Sequence, residues 1–178
     1  MRKTEWHLWT LDQYNEEEQW LNKKAEEGWA LVSAFAVRYE FEKCEPGEYV
    51  YKILFTDGIR GTEERDNFIS FMNENGIEEV GRYHRWGYYR KKNDGTPFEM
   101  FNTKSEELDH VNKIKNLAIV LVVIMAACWI IELLAILNSS FMFPAFAIVT
   151  AISVMVLKVY KGLANKAKEL EKDINLYE

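Results

Sequence analysis

LAIVLVVIMAACWIIELLAIL, residues 117–137, is a run of 21 residues with one charge, Glu132, and it is followed after Asn138, Ser139 and Ser140 by a second apolar run from Phe141 to Leu157. A hydrocarbon core about 30 Å thick needs roughly 20 apolar helical residues to cross it. Two such runs joined by three residues predict a transmembrane hairpin. The competing reading is a pair of buried helices in a soluble protein, but a helix of that kind keeps a polar stripe. Leu117 to Ile131 has none around its circumference. The second run covers only about 26 Å at 1.5 Å per residue. Local thinning and outward snorkelling of Lys158 would supply the rest.

The flanks orient the hairpin. Lys113 and Lys115 precede it, Lys158, Lys161, Lys166 and Lys168 follow it, and the connecting loop carries no charge. The positive-inside rule then puts both ends in the cytoplasm and the Asn138 to Ser140 tip at the outer surface of the cytoplasmic membrane. MRKTEWHLW lacks the basic-then-apolar layout of a secretory signal. Cys44 falls in a polar loop and Cys128 in mid-span, so no disulfide is expected, as suits a reducing compartment. His7, His84 and His110 have no second ligand at a helical or hairpin spacing, and no metal or other cofactor is expected.

The segment before the hairpin reads as alternating strands and helices. Trp6 to Leu11 suits a first strand, being short and aromatic. Asp12 to Glu27 suits a helix, with Glu16, Glu17 and Glu18 early, Lys23 and Lys24 late and Gly28 as its stop. Tyr14, Leu21 and Ala25 share one face of it, with Trp20 alongside. In the next strand Phe35, Val37, Tyr39 and Phe41 alternate with Ala36, Arg38, Glu40 and Glu42. Glu45-Pro46-Gly47 is turn chemistry, and Tyr49 to Phe55 is the returning strand of a hairpin. A polar loop from Thr56 to Thr62 leads to a helix from Glu63 to Asn75, and Glu78 to Arg90 is a fourth strand.

The order β-α-β-β-α-β predicts an α+β ferredoxin-like domain over residues 1–101, four antiparallel strands under two helices with an open aromatic face. A shift of 48 positions lays Trp20 and Leu21 on Phe68 and Ile69, Gly28 on Gly76 and Val32 on Val80, an internal echo of two helix-glycine-strand units. Residues 102–116 form a linker helix, begun by Thr103 and Glu106 at capping-box spacing. The membrane helices follow at 117–137 and 141–157. In the tail, 158–178, Leu163, Ala167, Leu170, Ile174 and Tyr177 recur at spacings of 4, 3, 4 and 3 and predict an amphipathic helix.

WHLW, EEQWLNKKAEEGWALV, YEFEK, GEYVYKILF and YYRKK resemble the uncharacterised bacterial family numbered 2812 among the domains of unknown function, over about Arg2 to Phe101. The resemblance implies such a domain ahead of hydrophobic segments, and an association with genes for PadR-like transcriptional repressors. It carries no catalytic residues.

Several functional classes can be weighed. Residues 1–116 hold 23 acidic against 17 basic residues, and the whole chain has net charge −6, which opposes a nucleic-acid backbone despite Lys52, Arg82, Arg85, Arg90, Lys91 and Lys92. Trp6, Trp9, Tyr49 and Tyr51 stand where the base-stacking aromatics of an RNA-recognition module would, but the glycine-rich basic motif is missing. No nucleophile elbow, phosphate-binding glycine loop, HExxH or paired-cysteine site occurs, and the carboxylates come in runs typical of solvated faces. Trp20, Gly28 and Trp29 read as core and cap rather than as a pocket.

The expectation is a membrane-anchored binding or regulatory module, not an enzyme. Its partners would be the bilayer and a protein or a second copy, with no nucleic acid. Candidate partner contacts are Trp6, Trp9, Tyr49 and Tyr51 on the sheet, Glu132 within the membrane, and Leu163 and Leu170 on the tail seam. An accessory subunit of a membrane transport complex is the alternative, with Ala145, Ala147, Ala151 and Ser153 as a close-approach helix face.

Overall fold

In the computed structural model, residues 1–56, 63–138 and 143–177 are described. They form two compact units, Met1–Met100 and Phe101–Glu178. The first is mixed α and β, in the order β1 (Arg2–Trp6), α1 (Tyr14–Glu26), β2 (Trp29–Phe35), β3 (Arg38–Lys43), β4 (Tyr49–Phe55), α2 (Glu63–Glu74), β5 (Ile77–Tyr83) and β6 (Trp86–Lys92). The strands make two three-stranded antiparallel sheets, β1-β3-β2 and β4-β6-β5.

That order corrects the expected four strands to six. The segment Glu78 to Arg90 is a hairpin, not one strand, because the chain reverses at His84 and Arg85. Phe35 likewise belongs to β2, and the chain reverses at Ala36 and Val37 before β3. In each loop only the first residue has positive φ, 53° at Ala36 and 52° at His84, the sign pattern of a type II′ turn, which matches the twist of the strands it joins. The first strand is Arg2–Trp6 rather than the expected Trp6 to Leu11, so the two share only Trp6.

The 48-residue echo extends over the whole β-α-β-β unit. Gly28 and Gly76, Ala36 and His84, and Gly47 and Gly95 all have positive φ, each pair 48 positions apart. The register shifts of β2 on β3, between Leu31 and Ser33, and of β5 on β6, between Glu79 and Gly81, keep the same offset. The strands β2 and β5 lie beside each other, and they are tightly packed at Gly81. A side chain there would meet the Ala34 backbone nitrogen at 3.0 Å.

The core joins the two sheets through α1. Leu21 and Ala25 on α1, Leu31 and Ala34 on β2, Tyr39 and Phe41 on β3, Tyr51 and Ile53 on β4 and Tyr88 on β6 form one buried cluster. The face formed by Tyr14, Leu21 and Ala25 is buried as expected, and Glu17 is buried with it. The second helix is less embedded, with Met72 its buried residue.

The second unit holds two helices of 35 residues, α3 (Lys104–Asn138) and α4 (Phe143–Tyr177), packed on each other. The Thr103 hydroxyl caps the α3 start as expected, accepting from the Glu106 amide at 3.2 Å, and the Glu106 carboxylate reaches back one residue further than a capping box requires, accepting from the Asn102 amide at 2.8 Å. The linker and first apolar run are one continuous helix, and so are the second run and the tail. Both helices are long and apolar enough to cross a membrane. The expected tip at Ser139 and Ser140, most of the Thr56 to Thr62 loop and the Tyr177 side chain lie outside the described residues.

Candidate functional site

A carboxylate sits in the core of the first unit. Glu17 is 6% exposed, and a single oxygen, Oε1, accepts from the Tyr39 hydroxyl at 2.6 Å and from the Tyr88 hydroxyl at 2.7 Å. Tyr39 comes from the first repeat and Tyr88 from the second, so α1 ties the two sheets at one atom. Burial raises the Glu17 pKa and the two hydroxyl donors pull it back down. Burial, with Glu17 beside them, also raises the pKa of both tyrosines, which stay protonated donors. This arrangement holds a structure together. It offers a proton-binding group, and no cation is hydrogen-bonded to it among the described residues.

The position 48 residues on from Glu17 is Arg65, whose guanidinium donates to Glu79 at 2.8 Å. Glu79 also takes Arg82, which donates in turn to the Tyr89 hydroxyl at 3.2 Å and to Thr56 at 2.9 Å. Burial and the nearby Glu79 push the Tyr89 hydroxyl up to about 12. The same place in the two repeats thus carries a buried carboxylate in one and an ion-pair network in the other.

The exposed aromatic group gathers around the end of β1. Trp6 is 69% exposed and Leu8 is 70% exposed. His7 lies against Trp9 at 4.0 Å between ring centres and against Trp20 at 5.5 Å. Trp20 meets Tyr39 and Phe41 edge-on, at 5.0 and 5.6 Å, so this surface continues into the core. The buried Trp9 Nε1 has no hydrogen-bond acceptor among the described residues. Trp29 carries Lys3 at 4.1 Å and Lys43 at 4.0 Å over its ring.

The expected open aromatic sheet face is corrected here. Trp6 and Trp9 belong to the first sheet's side of the domain and Tyr49 and Tyr51 to β4 of the other sheet, so the four do not share one face. Tyr51 is 1% exposed, and its hydroxyl accepts from the Leu31 amide at 2.8 Å. Tyr49 is half-buried under the Arg90 guanidinium, 4.4 Å from its ring centre. The exposed side of β1 and β3 is mostly charged instead, with Arg2 near Glu42 at 3.8 Å and Arg38 near Glu40 at 2.5 Å. The basic side chains of the second repeat are also engaged: Lys52 with Glu18, Arg82 with Glu79, Arg90 with Glu78 and Lys91 with Asp94.

In the helical unit, Leu163 is fully buried and Leu170 half-buried on α4, which packs on α3, where Val111, Ile114 and Ala118 are buried. Lys104 and Asp173 pair at 2.7 Å near the ends of the two helices. Glu132 is buried, and its Oε2 has no hydrogen-bond partner among the described residues. One turn earlier Trp129 Nε1 donates to Ser153 Oγ at 2.9 Å, and Ser153 donates to the Val149 carbonyl at 2.7 Å. No group of three potential metal ligands occurs among the described residues.

Sequence reasoning missed Glu17, because a glutamate in the first turn of a helix reads as a dipole partner exposed to water. Its spacing of three and four from Tyr14 and Leu21 was the available signal. The family model described as "Protein of unknown function (DUF2812)" matches residues 13–123, more than half of the chain, from just before α1 to just past the middle of α3. No curated protein and no solved structure matches the chain.

Proposed function

The chain belongs to the DUF2812 family, and from that premise and the surface of its two long helices we propose that it is a membrane-anchored binding or regulatory module. The observation that carries the reading is an inverted pattern in the helical unit. Val120, Val123, Ile124, Ile130, Ile131 and Leu134 are about half to two-thirds exposed on α3, and Ile148 and Val154 on α4. Glu132, Trp129 and Ser153 turn inward. Each large apolar side chain left in water forgoes about 1.5–3 kcal/mol, whereas lipid takes such a surface at no cost.

The lysines before α3's apolar run and after α4's favour a hairpin with both ends in the cytoplasm. The Met1–Met100 unit would then work at the inner membrane surface, holding a protein or small ligand there. The exposed Trp6 and Leu8 beside the His7, Trp9 and Trp20 group are the surface best suited to a protein partner, since large aromatics dominate binding energy. A role beside a PadR-like repressor fits a regulatory module of this kind.

Two measurements test the reading. The chain should stay in the membrane pellet after carbonate extraction, and Glu45→Cys in a background of Cys44→Ser and Cys128→Ser should react with an impermeant maleimide only after cells are opened. Extraction by carbonate, or labelling of intact cells, would overturn the anchor or its orientation. Photocrosslinking from Leu8 in intact membranes should then trap a defined partner that Trp6→Ala loses.

A further inference from the structure

We propose that the outer edge of β1 is a homodimerisation surface, at which a second copy of the chain adds its own β1 antiparallel, Thr4 opposite Thr4. Among the described residues β1 pairs only with β3. The Lys43 amide donates to the Met1 carbonyl at 3.2 Å and the His7 amide donates to the Val37 carbonyl at 2.9 Å. Hydrogen bonding alternates along an antiparallel pair, so Met1, Lys3, Glu5 and His7 bond toward β3. The N–H and C=O groups of Arg2, Thr4 and Trp6 therefore point outward. All three of these residues are exposed.

The other repeat treats its matching edge differently. At β4, Asn22 and Glu18 of α1 take up the backbone groups of Tyr51 and Ile53. The positions 48 residues on are Ser70 and Asp66 of α2, both exposed, and no hydrogen bond joins them to β1 among the described residues. One edge of the duplicated domain is capped by its own helix and the other is left open. An open edge is a template for another strand.

The side chains select both the occupant and the register. With Arg2, Thr4 and Trp6 providing the outward groups, full overlap sets Arg2 opposite Trp6 of the second copy and Thr4 opposite its counterpart. Lys3 then faces Glu5 of the second copy, twice by symmetry. A shift of two residues either way sets Lys3 against Lys3, or Glu5 against Glu5, and like charges directly opposite are unfavourable. Arg2 against the exposed Trp6 ring adds a cation–π contact. Glu5 holds Lys3 at 2.7 Å and Lys24 at 3.1 Å within one copy, both on Oε1, so the Lys3 ammonium of the second copy would be the third on this carboxylate. RKTEW is in this sense complementary to itself, as a two-fold interface requires. The product is a continuous six-stranded sheet across two copies.

The test uses the full chain in its membrane, with Cys44→Ser and Cys128→Ser as background. Residues facing each other in a hydrogen-bonded pair have Cα atoms about 5.5 Å apart, within disulfide range. Thr4→Cys should form a disulfide dimer under mild oxidation at least tenfold faster than Arg2→Cys, whose two copies lie about 13 Å apart along the strands. Lys3→Glu should reduce the Thr4→Cys dimer several-fold, and adding Glu5→Lys should restore it. Thr4→Pro removes only an outward N–H, so it should leave the thermal melt in place and abolish the dimer seen by chemical crosslinking. Equal rates for Thr4→Cys and Arg2→Cys, no rescue by the charge swap, or crosslinking of Thr4→Cys to a different protein instead would overturn the proposal.

Discussion

The Asn22 side chain of α1 completes the hydrogen bonding of Tyr51 in β4: its Nδ2 donates to the Tyr51 carbonyl at 3.2 Å and its Oδ1 accepts from the Tyr51 amide at 2.8 Å. A helix side chain here takes the place of a missing strand. Beside it, Glu18 accepts from the Ile53 amide at 3.2 Å and pairs with Lys52 at 2.7 Å.

Removing that cap should be costly. Asn22→Ala leaves one donor and one acceptor of a half-buried strand without partners, at about 1–3 kcal/mol. Asn22→Asp keeps the acceptor and loses the donor, so its loss should be smaller. Denaturant unfolding of the purified chain in detergent checks the order; an Asn22→Ala midpoint equal to wild type would refute the capping role.

The buried carboxylate predicts an unusual pH response. The folded pKa of Glu17 is raised above its ordinary value of 4.5, so the folded state binds the proton more tightly than the unfolded state does. That contribution is fully present below pH 4.5 and is lost as pH rises through the folded value. Wild type minus Glu17→Gln should therefore show a melting-temperature difference that shifts against wild type as pH increases from 4.5, and a flat difference would rule the linkage out. Tyr88→Phe removes one of the two donors to Oε1 and should lower stability by about 1–2 kcal/mol.

The turn residues Ala36 and His84 hold a backbone conformation that costs an L residue about 1–2 kcal/mol relative to glycine. Part of that gain is offset by the greater flexibility of glycine in the unfolded chain. Ala36→Gly should raise stability by about 0.5 kcal/mol, read as a small upward shift in melting temperature. A decrease would mean that the methyl group contributes contacts exceeding the strain.

Within the helical unit, Trp129→Phe keeps the edge-on contact with Phe146, whose ring centre lies 4.7 Å away, and removes the donor to Ser153. Interhelical hydrogen bonds in membranes average about 0.6 kcal/mol, so the variant should be only slightly less stable to SDS. Trp129→Ala loses the ring as well and should cost several times more. Equal losses in the two variants would assign the whole effect to the hydrogen bond.

The missed hairpins show where reading by pattern stopped. Turns are found through glycine, proline, asparagine and aspartate. Ala36-Val37 and His84-Arg85 contain none of these, and the alternation of Phe35, Val37, Tyr39 and Phe41 runs across the first turn without a break. Period-two alternation survives a two-residue loop, because two residues are one full period of a strand. The repeat offset of 48 is visible in Gly28 and Gly76, and it marks a duplicated β-α-β-β unit rather than two halves of a four-stranded sheet.

What the sequence determined by itself was local and periodic: two long apolar helices, the capped start of α3, the buried Tyr14, Leu21 and Ala25 face of α1 and the strand Tyr49–Phe55. Each follows from spacing along the chain, where neighbours are set by helix or strand geometry alone. Only the tertiary structure decided which strands share a sheet, that α1 caps β4 through Asn22 while β1 keeps an open edge, and that Glu17 meets Tyr39 and Tyr88. Those contacts join residues 22 to 71 positions apart. No local period encodes them, because they depend on how two copies of one motif close against each other around a single helix.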